Sequence, residues 1–140
     1  VKASTTGNVY GIYDMIGGAF EYVASYVGNG NSVLSNNGAS LANSSSGYLK
    51  QVYSKGSSDS GQTNYEANKE RYGDAVYETS KKSSGINSWY GDQAIFPYTT
   101  VPFLQRGGLY NHGSIAGAFF FNNNAGNSAV GGGFRPVLAP

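Results

Sequence analysis

The chain is 140 residues long, carries a formal net charge of +1 and has charged side chains at only 12% of its positions. That length fits one domain able to bury a core, and so weak a charge leaves no electrostatic footprint for nucleic acid or an anionic membrane surface. The absence of cysteine removes disulfides, thiolate metal sites and cysteine nucleophiles together.

No apolar run approaches the roughly 20 residues a spanning helix needs, so no direct membrane insertion is expected. Opening at Val1 without a signal-peptide pattern, the chain reads as the C-terminal fragment of a longer protein. Its 21 Gly, 18 Ser and 14 Asn favour loops, turns and short strands. Twenty aromatic rings argue against a flexible stalk, because disordered chains are poor in them.

Residues 9–27 are the most apolar stretch, split by Gly17 and Gly18 into two short elements with Ile12, Met15, Phe20 and Val23 as expected core. Residues 28–47 turn to Asn, Ser and Gly and read as a long surface excursion anchored by Val33, Leu34 and Leu41. Residues 48–53 alternate weakly, as a short strand or the start of a helix, and 55–62 form a polar loop. Residues 65–77 are the best helical segment: Glu66 and Glu70 lie four apart with Lys69 and Arg71 beside them, until Gly73 breaks the run. After a turn at 81–85, residues 89–96 are aromatic and strand-like, and Pro97 and Pro102 limit pairing around the next strand. The 28 positions 107–134 then hold no charged side chain, only the neutral His112. They mix Asn, Ser, Gly, Ala, Phe and Tyr without a sustained strand or helix period. Tyr and Phe give contact area at low rotamer cost while Asn, Ser and Gly adapt, which is the chemistry of an antibody-type binding surface.

Groups for catalysis are sparse. His112 is the only histidine, and no carboxylate occurs after Asp92 to complete a triad with it. A lone imidazole does not make a metal cluster. Asp14, Glu21, Asp74, Glu78 and Asp92 could supply calcium oxygens but follow no EF-hand spacing, so no cofactor is expected and a structural calcium stays open. No glycine run carries the lysine of a phosphate-binding loop. The expectation is a binding domain, not an enzyme.

Three segments in order, GIYDMIGGAFEYV at 11–23, RGG at 106–108 and GFRPVL at 133–138, resemble the formylglycine-generating-enzyme or sulfatase-modifying family. That family's pattern runs G-L-Y-D-M-x-G-N-V-W-E-W, then R-G-G-S-W, then G-F-R. Here Gly18 and Ala19 replace Asn-Val, Phe20 and Tyr22 replace the two Trp, and Leu109 and Tyr110 replace Ser-Trp. The resemblance implies an α+β, C-type lectin-like fold of the sulfatase-modifying variety, with short twisted antiparallel strands, one or two helices and much irregular loop. It implies no oxidase activity, which in that family needs a cysteine pair absent here. Asp14, Glu21, Arg106 and Arg135 would make internal charge-assisted bonds in such a scaffold.

The interval between RGG and GFRPVL further resembles the mutagenised cassette of diversity-generating retroelement variable proteins, which use this scaffold. On that resemblance the ligand contacts are Leu109, Tyr110, Asn111, His112, Ile115, Phe120, Asn123, Asn124, Ala125, Asn127, Ala129, Val130 and Gly131, joined by Tyr90 and extended by Ile95 and Thr99. Gly107, Gly108, Ala116, Gly117, Phe134 and Arg135 hold the frame. Replacing Asn123, Asn124 and Asn127 with Ala should then leave stability nearly unchanged. The N-terminal motif also resembles heads of pilin-like surface proteins of gut bacteria, implying display on a cell surface, pilus or phage particle and a protein or glycan ligand. The alternative is a conventional lectin or structural pilus subunit of the same fold without diversification.

Overall fold

A computed structural model describes residues 18–45, 47, 50–71, 73–80 and 91–134. Its hub is the longest strand, β1 (Phe20–Val27). Along β1 successive side chains face opposite sides of the sheet: Val23 and Val27 enter one apolar cluster, Tyr22 and Tyr26 the other. Both faces are covered, so the strand is β-branched on one side and aromatic on the other.

Chain order continues with helices α1 (Ser32–Asn37) and α2 (Ala39–Asn43), strand β2 (Gln51–Tyr53), helices α3 (Gly61–Glu66) and α4 (Ala75–Thr79), then strands β3 (Phe103–Arg106), β4 (Phe121–Asn124) and β5 (Gly132–Gly133). The sheet order is β2-β1-β3-β4, with β5 also on β1. The start of β1 pairs β5 (Phe20 with Gly132, Glu21 with Gly133), and its end pairs β2 (Ser25 with Gln51, Val27 with Tyr53), in parallel both times. On the other side β3 runs antiparallel, with Glu21 opposite Arg106 and Tyr26 opposite Phe103. The five residues of β1 from Tyr22 to Tyr26 face only three of β3, Gln105 to Phe103, the irregularity of a bulge. The sheet is therefore mixed, which corrects the antiparallel expectation: a crossover containing α1 and α2 brings β2 back in the direction of β1, and the helix-free connection 125–131 carries the chain from β4 to β5 in that same direction.

The larger core combines Val27, Tyr53, Tyr65, Val76, Ala94, Phe96, Leu104 and Phe121; the smaller, Tyr26, Leu34 and Phe103, is closed by Val33, Leu41 and Ala42. Residues 28–47 thus hold two short helices, where the sequence reads as an excursion. Asn31 caps α1 by accepting from Val33 N at 2.9 Å, and Leu34 is buried against the sheet. The helix expected over 65–77 is replaced by α3 and α4 at its two ends. A Ser60–Thr63 capping box starts α3 (3.1 and 3.2 Å), and Asp74 caps α4 by accepting from Val76 N at 2.9 Å. Between them Gly73 adopts φ +77°, a left-handed conformation that ends any continuous helix.

Phe20 and Val23 are half-buried, while Ile12, Met15, Asp14, Arg135 and Tyr90 lie outside the described residues. Two strands, β4 and β5, occur within 107–134, a segment that lacks the sequence alternation of either. Phe134, expected in the frame, is 81% exposed, because the chain leaves the sheet after Gly133.

Candidate binding face

The uncharged segment 107–134 is fastened to the rest of the molecule mainly through its own main chain. Tyr110 N donates to Gly18 O at 3.3 Å, Gln93 N to Ile115 O at 3.0 Å, and Phe20 N to Gly131 O at 2.8 Å. Phe121 exchanges two main-chain bonds with Gln93 and Ile95 (3.0 and 3.1 Å). Side chains from outside also reach only backbone atoms at the tight turn 117–119. The buried Asp92 carboxylate accepts from Phe119 N at 2.8 Å, and Arg106 Nη2 donates to Ala118 O at 3.2 Å. A side chain at Gly117 would run into that carboxylate. Burial pulls the Arg106 guanidinium below its ordinary range, opposed by Tyr53, Asp74 and Asp92. The two charges that grip this turn do so without reading its side chains. Arg106 therefore has an internal role, as expected, while Glu21 is half-buried opposite it in the sheet.

What the segment leaves outside mixes large apolar side chains with amides and hydroxyls. Val130 is fully exposed and Tyr110 and Phe134 are each 81% exposed, against 36–40% for Val52 and Tyr98, the other exposed large hydrophobics among the described residues. Asn111, Asn127, Ser128 and Ala129 are exposed around them. Leu109 is half-buried and its side chain lies over Gly131, where a Cβ would come within 2.7 Å of it. Gly131 (φ +89°) thus serves the packing of Leu109 and the bond to Phe20. His112 and Ile115 are half-buried, the imidazole set edge-on to Phe20 at 5.2 Å and 5.7 Å from Phe120.

Other expected contacts turn inward. Phe120 is completely buried, stacked on Phe20 at 5.8 Å, and is core. Asn123 and Asn124 sit half-buried in β4; Asn123 Nδ2 donates to Phe96 O at 3.2 Å. Asn124 Oδ1 accepts from Tyr22 OH at 2.7 Å and from Gly126 N at 2.9 Å. These amides hold the end of β4 to its neighbours, so the expectation that their loss is neutral is corrected. Ala125 is half-buried and its carbonyl accepts from Asn37. Of the two extensions, Ile95 is half-buried beside β4 and Thr99 is exposed at φ +28°, tied to Asp59 by its hydroxyl at 2.7 Å.

Two grooves flank this crossing, and Tyr22 lines both. One, of about 350 Å³, lies among Tyr22, Asn127, Ser128, Ala129, Gly132, Gly133 and Phe134. The other, of about 220 Å³, reaches Asn37, Gly38, Leu41, Phe103 and Gly126. The second belongs partly to α1 and α2, which sequence reasoning left out of the site. The signal was in the sequence: positions 22–49 are a second run of 28 residues without a charge. The fold lays the two runs side by side, joined where Asn37 Nδ2 donates to Ala125 O at 2.7 Å and Asn127 Oδ1 at 2.8 Å, and where Tyr22 OH meets Asn127 O at 3.3 Å.

Among the described residues no three His, Asp or Glu side chains converge as a metal site, and no helix is long and apolar enough to cross a membrane. No family model, curated protein or solved structure matches the chain. The arrangement offers exposed aromatic and aliphatic area, amides and hydroxyls, and no formal charge.

Proposed function

We propose that this chain is a non-enzymatic ligand-binding domain of adhesin or receptor type, on a C-type lectin-like scaffold, whose hypervariable face is produced by a diversity-generating retroelement. The observation that carries the reading is the separation within 107–134: its attachments run mainly through main-chain atoms, while Tyr110, Val130 and Phe134 stand in solvent. A surface fastened in that way keeps its shape when exposed side chains change, as a diversified binder requires. An exposed ring at the rim of a groove, as Phe134 is beside Tyr22 and Ala129, fits a partner site. An uncharged surface also suits an uncharged epitope, because a charged one would lose hydration without gaining a counter-charge. The ligand is a protein or glycan on another cell or host surface, and the domain is displayed on a cell, pilus or phage particle.

Sequencing the source locus tests this. The expected finding is a near-copy of the codons for residues 88–134, beside a reverse transcriptase gene, differing at template adenines. The changed codons should include exposed positions such as 110, 111, 129 and 130 and spare Gly117 and Phe121. Absence of any copy would return the domain to a conventional lectin or pilus subunit.

A further inference from the structure

Beside the Tyr22 hydroxyl, the joint between the two uncharged segments rests on the Asn37 amide, and that residue is followed by glycine. Asn37 is the exposed last residue of α1, and position 38 must be glycine because any side chain there would enter the Phe103 ring. Packing therefore fixes an Asn-Gly pair at the surface. In such a pair no side chain shields the following main-chain nitrogen from the asparagine amide carbon.

We propose that Asn37 is a site of spontaneous deamidation whose product releases residues 125–127 from α1. Gly38 N bonds to Asn37 Cγ, the Cγ–Nδ2 bond breaks, and the amide leaves as ammonia with the proton that Gly38 gives up. Water then opens the five-membered succinimide at either carbonyl, leaving aspartate or isoaspartate. Overall, water is consumed and ammonia released, with no change of oxidation state. The Gly38 N–H is held by Leu34 O at 3.1 Å, the terminal bond of a six-residue helix, and helix ends fray readily.

The consequence follows from the donor count. Asn37 Nδ2 spends its two hydrogens on Ala125 O and Asn127 Oδ1. A carboxylate has acceptors only, so the contact with Ala125 O becomes oxygen facing oxygen and the bond to Asn127 survives only if that amide turns its nitrogen round. The chain provides its own comparison in the pair Asn29-Gly30. Asn29 is half-buried and held at both ends of its amide: Nδ2 on Thr99 O (2.7 Å) and Asp59 Oδ2 (3.2 Å), Oδ1 accepting from Asn31 N (3.0 Å).

The test is peptide mapping by mass spectrometry of the folded protein aged at mildly alkaline pH, beside a free peptide of residues 32–43. Expected is conversion at Asn37 ahead of Asn29, lost in Asn37→Gln. Conversion at Asn29 first, or none at Asn37 once the peptide has converted, would overturn the site. Hydrogen exchange on Asn37→Asp tests the release: faster exchange at Gly126 N and its neighbours is expected, and protection equal to the unmodified protein would overturn it. Neither arm needs the ligand, so both stand apart from the proposed binding function.

Discussion

Tyr and Phe side chains end in opposite environments in two parts of this molecule. Tyr53, Tyr65, Tyr77 and Phe96 pack with ring centroids 4.6–5.9 Å apart, and each hydroxyl has a partner: Tyr53 donates to Asp74 at 3.0 Å, Tyr77 to Tyr65 O at 2.8 Å, and Tyr65 meets Ser80 at 3.3 Å. Tyr110, Val130 and Phe134 stand in water. The difference lies in what surrounds them. The first group is enclosed by α3 and α4, whose Asp74 cap and Ser80 supply polar ends for buried phenols. The second sits on turns whose main chain is bonded inward, which turns the side chains out.

The sharpest way to break that contrast is to cut the same ring from each side of it. Phe121→Ala, at a completely buried position, is expected to cost about 3–5 kcal/mol in chemical denaturation. Phe134→Ala should change stability by less than ~0.5 kcal/mol. Equal losses would erase the distinction.

Alkaline pH should strike the enclosed group. Burial first, with Asp74 beside Tyr53 and Tyr53 beside Tyr77, pushes both phenols above their ordinary range. The folded state then keeps protons that the unfolded chain gives up above about pH 10. Stability is therefore full below that pH and declines as pH rises beyond it. Melting temperature followed up the pH scale should fall there, and less steeply in Tyr77→Phe; a flat profile would contradict the enclosure.

At the turn, Asp92→Ala removes the acceptor of Phe119 N and should cost about 1–3 kcal/mol by leaving that donor unpaired. Smaller again, Tyr22→Phe and Asn124→Ala should each cost on the order of 1 kcal/mol. The double variant should cost less than their sum, since both lose the same 2.7 Å bond. Strict additivity in a double-mutant cycle would mean that the bond is not shared.

Part of this was legible in the sequence. The lack of charge over 107–134 and the break at Gly73 could be read from composition and turn chemistry, whereas 48–53 read equally as a short strand or a helix start, and only the pairing of Gln51–Tyr53 with β1 decides it. The helices α1 and α2 could not be read, because six and five residues are too few for a helical period. They form through the Asn31 cap and the packing of Leu34 and Leu41 on Tyr26 and Phe103, which is tertiary information. Asn124 and Asn127 look alike in sequence. Yet Asn124 is consumed by Tyr22 and Gly126 from across the sheet and turn, whereas Asn127 lies exposed at the joint with Asn37. Phe119, Phe120 and Phe121 form a run without alternation, and only the turn that Asp92 and Arg106 hold decides which rings point inward.

Saturation mutagenesis across 107–134, scored for survival of protease on the folded domain, tests most directly whether frame and face are separate. Tyr110, Asn111, Ser128, Ala129 and Val130 should accept nearly every residue, while Gly117, Phe120, Phe121 and Asn124 accept few. Intolerance at Tyr110 and Val130 matching that at Phe120 and Phe121 would contradict the account.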